Sequence, residues 1–268
     1  MFEKHWKAIA LTPLLILVAS VAILAGNALS TGVVMKRDVD LMGGKRLSFA
    51  GDREAFSIAH VTLPNADVRL YTGAASTVVV TLPYEAEERN AIAALQTAGI
   101  KGDIAYQTIG PAIGEIFWQQ IQAAALTAFF LMSIIVFVMF RSLVPSGIVI
   151  LSAIVDMIGT MAAMSLMGVP LSLHMIAALM LIVAYSIDTD VLLTSSVLKF
   201  GGSASSAMKT GLTMVSTTFV ALLALYVSTG SPVLQTIALV LMTGIVIDIP
   251  VTWLLNAGLL RMWVEKHG

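Results

Sequence analysis

Four aspartates lie inside otherwise apolar stretches of the chain: Asp156, Asp188, Asp190 and Asp248. No Lys or Arg shares these stretches, so no fixed cation neutralises the carboxylates there. An ionised carboxylate at the centre of a bilayer costs several kcal/mol, about 2.5–3.5 by insertion scales. Desolvation favours the neutral acid, and such a carboxyl group can take up a proton at one face and release it at the other. These residues therefore indicate an ion or proton relay.

The spacing of neighbouring polar residues supports this interpretation. Three sets lie at intervals of four, which puts each set on one helix face: Ser152, Asp156 and Thr160; Ser186, Asp190 and Thr194; Asp248, Thr252 and Asn256. We predict that the carboxyl groups are supported by the polar side chains of Ser186, Thr189, Thr252 and Asn256. Asp188 lies about 200° around the helix from Asp190, so both can face one stripe only if the helix is broken. Pro250 is expected to kink the sixth span.

A structural role is the alternative for each of these residues. Asp190 could lie at the cytoplasmic interface, and nearby Thr and Asn side chains could simply hold Asp156 and Asp248. His174 is interpreted as a structural residue near the outer end of the fourth span. The Ser/Thr run "TMVSTTF" in the fifth span is interpreted as helix-packing contacts.

Composition defines the environment of the aspartates. Hydrophobic residues make up 58% of the chain and charged residues only 12%, which is typical of a protein that crosses a membrane several times. A spanning helix needs about 20 mostly apolar residues. Six segments satisfy this length: residues 9–29, 118–140, 145–167, 171–198, 211–229 and 232–260. We predict a polytopic α-helical membrane protein with six transmembrane helices.

The first span could also be a cleaved signal peptide. Its apolar run of about 20 residues exceeds the usual 7–15-residue core of such a peptide, and "GNALS" is a weak cleavage sequence. We therefore expect a retained signal anchor. There is no cysteine, so no disulfide stabilises the rest of the chain.

The basic residues that flank the spans predict the orientation. Seven of them fall on one side of a six-span chain: Lys4, Lys7, Arg141, Lys199, Lys209, Arg261 and Lys266. By the positive-inside rule that side is the cytoplasm. We expect a multi-pass protein of the cytoplasmic membrane, in contact with lipid, with both termini cytoplasmic and the segment after the first span outside.

Residues 30–117 form the outer segment, between a first unit at 1–29 and a five-helix bundle at 118–268. Their charges are nearly balanced, which gives no indication of nucleic-acid binding. Alternation and β-branching predict strands, and two acidic-led stretches predict helices, in the order βαββαβ. We predict an extracytoplasmic ferredoxin-like α+β domain. His60 stands alone and is interpreted as structural, so the segment offers no catalytic group, metal site or cofactor site.

Five short motifs in this order resemble the SecF family, subunits of the SecD–SecF protein-export complex, in its archaeal form. "DLMGG" contains Asp40, Gly43 and Gly44 and is similar to the family's Asp-Phe-x-Gly-Gly, with Leu41 in place of Phe. The others, "IGPAIG", "VDMIGTM", "AYSIDTDVLLTSSVLK" and "GIVIDIPVTWLLNAGLL", resemble family stretches in or next to the second, third, fourth and sixth spans. Ala184 replaces a Gly, and Ser196 replaces an Arg found in many members. Bacterial members have Asn-Asp-Thr where this chain has Asp-Thr-Asp, so the family's proton-linked Asp corresponds to Asp188, to Asp190 or to neither.

The resemblance implies a non-enzymatic subunit that assists preproteins at the Sec translocation channel, using the proton or sodium gradient. It implies a heterodimer with a SecD-like subunit, because six spans are half of a resistance-nodulation-division unit. One alternative is half of an efflux-type transporter for small molecules or lipids, which normally has twelve spans in one chain. Another is an intramembrane aspartyl protease, but "GIVID" is not the Gly-x-Gly-Asp of such enzymes.

Overall fold

The computed structural model describes residues 2–198 and 204–267, and has the architecture of a polytopic membrane protein with a small soluble domain. Its helices are α1 (Phe2–Thr31), α2 (Val39–Met42), α3 (Arg53–Thr62), α4 (Glu88–Thr97), α5 (Pro111–Phe140), α6 (Leu143–Leu166), α7 (Leu173–Leu198), α8 (Ala204–Ser228), α9 (Pro232–Pro250) and α10 (Ala257–His267). A π-helical turn, Val251–Asn256, joins α9 to α10. Lys199, one of the residues used to predict orientation, lies outside the described residues.

Six helical segments among the described residues are long and apolar enough to cross a membrane, and the sixth comprises α9, the π-helical turn and most of α10. They contain Thr12–Thr31, Pro111–Phe140, Leu143–Leu166, Leu173–Leu198, Ala207–Ser228 and Pro232–Lys266, in agreement with the six predicted spans. The second span, α5, begins at Pro111 rather than at residue 118, because Pro at the first helical position starts the helix directly after the soluble domain. In the bundle α6, α7 and α9 are the most buried, and α1, α5 and α8 flank them.

Close packing between α7 and α9 depends on a glycine. A Cβ atom at Gly244 of α9 would collide with the side chain of Ile182 on α7. Glycine there lets the two backbones approach closely, as small residues commonly do between membrane helices. The contact lies one turn before Asp248, so it brings that aspartate next to α7.

The soluble domain contains a four-stranded antiparallel sheet. Its strands are β1 (Gly44–Ala50), β2 (Asp67–Tyr71), β3 (Thr77–Leu82) and β4 (Ala105–Ile109), in the order β2-β3-β1-β4. Helices α3 and α4 cover one face of the sheet, because alternate apolar residues such as Leu47 and Val80 point towards them and pair across β1 and β3. Asp52 caps α3 by accepting hydrogen bonds from two backbone N–H groups of its first turn.

Backbone contacts join the soluble domain to the bundle. The N–H of Asp38 donates to the carbonyl oxygen of Leu171 at 2.8 Å, and the N–H of Leu171 donates to the carbonyl oxygen of Lys36 at 2.8 Å. At the other side of the domain, Gln235 Nε2 donates to the carbonyl oxygen of Thr72 at 2.8 Å. The domain is therefore attached to the start of α7 and to the start of α9.

Candidate functional site

Three of the four membrane aspartates meet at the centre of the bundle. Asp156 of α6, Asp190 of α7 and Asp248 of α9 have no solvent-exposed surface. The polar residues one or two turns away from them on the same helix faces are also buried: Ser152, Thr160, Ser186, Thr194, Thr252 and Asn256. The three predicted stripes thus face one another, and we call this group the membrane carboxyl cluster.

Asp190 is held by two side chains from the π-helical turn. Asn256 Nδ2 donates to Asp190 Oδ1 at 2.6 Å, and Thr252 Oγ1 lies 2.9 Å from the same oxygen. Both partners are neutral, so they orient the carboxyl group without supplying a countercharge. Asp190 is consequently fixed in position but not neutralised.

Thr252 connects Asp190 to Asp248. Its hydroxyl oxygen also lies 2.9 Å from Asp248 Oδ1, yet a hydroxyl group has only one proton to donate. Both contacts are therefore hydrogen bonds only when one of the two carboxyl groups is itself protonated and donates to Thr252. The geometry of this bridge fits a pair of acids that holds a proton.

Asp156 and Asp248 are bound from α7. Ser186 Oγ donates to Asp156 Oδ2 at 2.5 Å. Thr189 Oγ1 donates to the carbonyl oxygen of Ser186 at 2.8 Å and lies 3.3 Å from Asp248 Oδ2. All four supporting residues predicted from the sequence are therefore in contact with a buried carboxyl group or its partner.

Protein groups alone do not satisfy the membrane carboxyl cluster. Among the described residues, Asp156 Oδ1, Asp190 Oδ2 and Asn256 Oδ1 are buried and have no hydrogen-bond partner. An unsatisfied buried polar group costs about 1–3 kcal/mol, and ionised carboxylates packed together without a cation cost more. The cluster is thus suited to a cation that comes and goes, of which a proton is the smallest.

Asp188 is separate from this cluster. α7 is continuous from Leu173 to Leu198, so the rotation of about 200° between Asp188 and Asp190 is retained. Asp190 is buried, whereas Asp188 is exposed on the outside of the bundle together with Leu181. The structure therefore brings only one member of this predicted pair into the membrane carboxyl cluster.

The π-helical turn explains how the sixth span presents its polar residues. Pro250 has no N–H to donate within the helix, and the turn of wider radius begins directly after it. Thr252 and Asn256 both lie in this turn and both reach Asp190. The predicted kink is thus a local widening of the helix at the position where the two residues bind the carboxyl group.

A second carboxylate cluster lies at the junction between the soluble domain and the bundle. Arg46 Nη2 lies 2.8 Å from Asp38 Oδ2 and 3.4 Å from Asp40 Oδ2, and His174 Nδ1 lies 4.0 Å from the latter oxygen. Burial lowers the pKa of Arg46, but attraction by Asp38 and Asp40 outweighs this effect and leaves the pKa above its ordinary value. We call these four residues the junction cluster, and its carboxylates have a fixed cation.

Comparison with known proteins agrees with this architecture. The family model described as protein export membrane protein SecD/SecF, C-terminal, matches residues 90–266. The protein-export membrane protein SecF of Pyrococcus furiosus is 34% identical over 99% of this chain and 93% of its own length. The chain belongs to the SecF family. The SecF of Methanolacinia petrolearia is 35% identical over 98% of this chain and 95% of its own length.

A solved structure has the same fold. The crystal structure of SecDF, a translocon-associated membrane protein from Thermus thermophilus, superposes with a TM-score of 0.74 at 22% identity. The match covers 98% of this chain but only 38% of that one. The chain therefore corresponds in fold to less than half of a SecDF protein.

Two SecF-like motifs that are distant in sequence meet at the junction. Gly43 has a φ of +79°, and a Cβ atom there would lie 2.6 Å from the Cα of Pro111. A Cβ at Gly114 would lie 2.5 Å from the nitrogen of Gly43, and one at Gly44 would lie 2.9 Å from the carbonyl oxygen of Leu82. Glycines in "DLMGG" and "IGPAIG" thus allow the start of α5 to pack against α2, beside Asp40.

The sequence analysis did not identify Asp38 and Arg46 as part of a site. They lie in ordinary mixed-charge sequence, and Arg46 reaches across from β1 to the loop before α2. The only signal available was the position of Asp38 two residues before Asp40. Their pairing depends on how α2 turns back onto the sheet, which no local pattern encodes.

Proposed function

We propose that this chain, with a SecD-like subunit, assists the export of preproteins at the Sec translocation channel of the cytoplasmic membrane, driven by the proton or sodium gradient. The observation that carries the proposal is the membrane carboxyl cluster, which has three buried acids whose hydrogen-bond donors, among the described residues, are neutral side chains. One charge crossing 100 mV provides about 2.3 kcal/mol. That energy matches a two-state movement of a few kcal/mol.

Asp190 is the proposed centre of the relay, with Asp248 and Asp156 as partners. Thr252 touches the first two carboxyl groups, so a proton on either changes the hydrogen bonding of both. Asp188 lies outside the cluster and is not part of the proposed relay.

The proposed movement passes from α7 to the soluble domain. The segment that carries Asp190 begins next to Leu171 and His174, and both of these residues contact the segment that leads into the domain. A shift of α7 on protonation would therefore act on the domain through the junction cluster. The domain would hold or release an exported chain in step with ion passage.

The proposed topology places the units 1–29, 30–117 and 118–268 as first span, extracytoplasmic domain and five-helix bundle, with both termini cytoplasmic. The strand order β2-β3-β1-β4 and the element order βαββαβ support a ferredoxin-like assignment for the domain. The proposed activity is transport without catalysis and needs no cofactor. Six spans leave the bundle as half of a unit, which supports the SecD-like partner.

The deciding experiment measures export of a secreted precursor in cells whose only copy carries Asp190→Asn, with Asp188→Asn as the matched control on the same helix. Asn retains hydrogen bonding but cannot titrate. We expect export to fall by about tenfold or more in the first variant, the loss expected when a required proton-transfer group is removed, and to change little in the control. The partner must co-purify normally with both. Normal export with Asp190→Asn, Asp248→Asn and the double variant would reject ion coupling through this pair.

A further inference from the structure

The edge of the soluble domain's sheet faces a cleft. β2 is the outermost strand on one side, and all five of its residues, Asp67–Tyr71, line a space of about 530 Å³ between the domain and the bundle. A neighbouring space of about 670 Å³ shares Asp67, Val68 and Arg69 with it. The two spaces form one continuous cleft along the free edge of β2, at the outer end of the bundle.

The backbone of this edge is available for pairing. β2 pairs with β3 on one side in an unbroken antiparallel register from Asp67↔Thr81 to Tyr71↔Thr77. In such a strand alternate residues direct their N–H and C=O groups away from the partner. Within the described part of the chain, no backbone hydrogen bond reaches the outer side of β2.

The features that usually protect an edge strand are weak here. Edge strands are commonly blocked by a proline, a bulge or charged side chains. β2 contains no proline and no bulge, and its two charged residues form an ion pair with each other, Arg69 Nη2 to Asp67 Oδ2 at 2.5 Å. The edge is left open instead of being blocked.

We propose that the β2 edge binds an extended segment of the exported polypeptide as an additional antiparallel or parallel strand. This inference rests on the proposed export function and specifies how the domain would hold its client. Strand addition uses backbone hydrogen bonds, so it tolerates chains of many different sequences, as an export factor must. Five residues of strand correspond to about 17 Å of client chain.

The walls of the cleft fit an extended chain whose side chains alternate. On the bundle side Met167, Val169 and Leu239 supply an apolar wall, whereas Lys36 and Asn65 supply polar groups in the neighbouring space. Successive side chains of a strand point to opposite faces. The client's side chains would thus meet apolar residues in one part of the cleft and polar groups in the neighbouring part.

Cysteine cross-linking tests the proposal in the assembled membrane complex, because the native chain has no cysteine. The probe is Arg69→Cys on β2, and the matched control is Ala105→Cys on β4. These two positions lie in one row across the sheet, through Val79 and Ser48, at opposite edges. The client is a precursor halted during export that carries a single cysteine at successive positions.

We expect several-fold more cross-linking to the precursor from Arg69→Cys than from Ala105→Cys, with a maximum at every second precursor position. Equal cross-linking from both edges, or no alternation, overturns strand addition. Cross-linking of Arg69→Cys to the partner subunit in place of the precursor also overturns it, since the edge then serves assembly. If export no longer depends on this protein at all, the proposed function fails; if export depends on it and β2 gives no cross-link, only this inference fails.

Proline substitution gives an independent readout. Arg69 and Leu70 alternate along β2, so only one of them directs its N–H towards β3. We would compare Arg69→Pro with Leu70→Pro. The variant that removes an outward-facing N–H should keep the melting temperature of the complex, and the other should lower it. We expect the variant that keeps the melting temperature to slow export several-fold, and unchanged export in it contradicts the proposal.

Discussion

The membrane carboxyl cluster and the junction cluster are both built on aspartate side chains, but the surroundings of these side chains differ. In the junction cluster Arg46 lies within 3.4 Å of both Asp38 and Asp40. In the membrane carboxyl cluster the described partners of the three aspartates are hydroxyl and amide groups. A fixed cation balances the carboxylates of the junction cluster, whereas the membrane carboxyl cluster has neutral donors. In the proposed function a mobile ion balances the charge of the latter.

The strongest way to break this comparison is to give the membrane carboxyl cluster its own fixed cation. In Asn256→Lys the ammonium group would replace the amide that contacts Asp190 and would pair with it permanently. We expect export to fall by about tenfold or more, as for removal of a required proton-transfer group. Pulse-chase measurement of precursor export, with co-purification of the partner, provides the test.

The control for that variant is Ser196→Lys, which adds the same charge near the C-terminal end of α7. A lysine there can extend its ammonium group to the interface. Export should remain close to normal. Equal loss in both variants would mean that any added charge disturbs the bundle, and that the cluster has no special role.

A smaller effect is expected from a close contact of the junction. In Gly43→Ala the new Cβ would meet the backbone of Pro111 at 2.6 Å, at a φ of +79°. With a ψ of 159°, this backbone conformation is adopted almost only by glycine and costs about 1–3 kcal/mol for a residue with a side chain, and the collision adds to this cost. We expect a clear decrease in the melting temperature of the purified complex. Gly102→Ala, also at positive φ but with open space around it, serves as control and should lose less.

Removing the cation of the junction cluster should also destabilise the protein. Arg46→Gln removes the arginine cation beside two acidic groups whose side chains are only 13% and 11% exposed. We expect a loss of about 1–2 kcal/mol, reduced from the full cost of a buried pair because the site is partly solvated. Asp190→Asn should leave the melting temperature unchanged. Similar losses in both variants would show that the two clusters do not differ in kind.

The smallest expected effect concerns pH. The pKa of Arg46 is raised in the folded protein, so its contribution to stability is present below the unfolded value and is lost only as pH rises through the higher folded value. The stability difference between wild type and Arg46→Gln should therefore be the same at about pH 8 and about pH 9.5, which lie above the range where His174 titrates. Thermal unfolding at the two pH values tests this, and a difference that shrinks at the higher pH contradicts it.

The sequence predicted elements well where a pattern is local. The six spans and the four strands follow from apolar length and from alternation. The start of α5 was placed too late, because Gly114 and Glu115 interrupt the apolar run near its beginning. Helix α2 has only four residues, too few for any periodicity to indicate it.

The membrane carboxyl cluster was predictable in its members but not in its connections. Intervals of four placed Asp156 and Asp248 on interior faces, and both are buried. Whether Asp188 or Asp190 faced inward depended on the rotation of α7, which is fixed only by packing against α6 and α9. The bridge through Thr252 depends on the π-helical turn, and a proline signals a disturbed helix without specifying its form.

The hydrogen bonds between residues 36–38 and Leu171 involve only main-chain atoms. Every amino acid except proline carries the same two groups, so exchanging side chains at these positions leaves the connection in place. A genetic screen based on single substitutions would thus recover the acids and glycines around this connection and overlook the connection itself. This connection between the bundle and the soluble domain is made by the main chain, so side-chain substitutions hardly affect it.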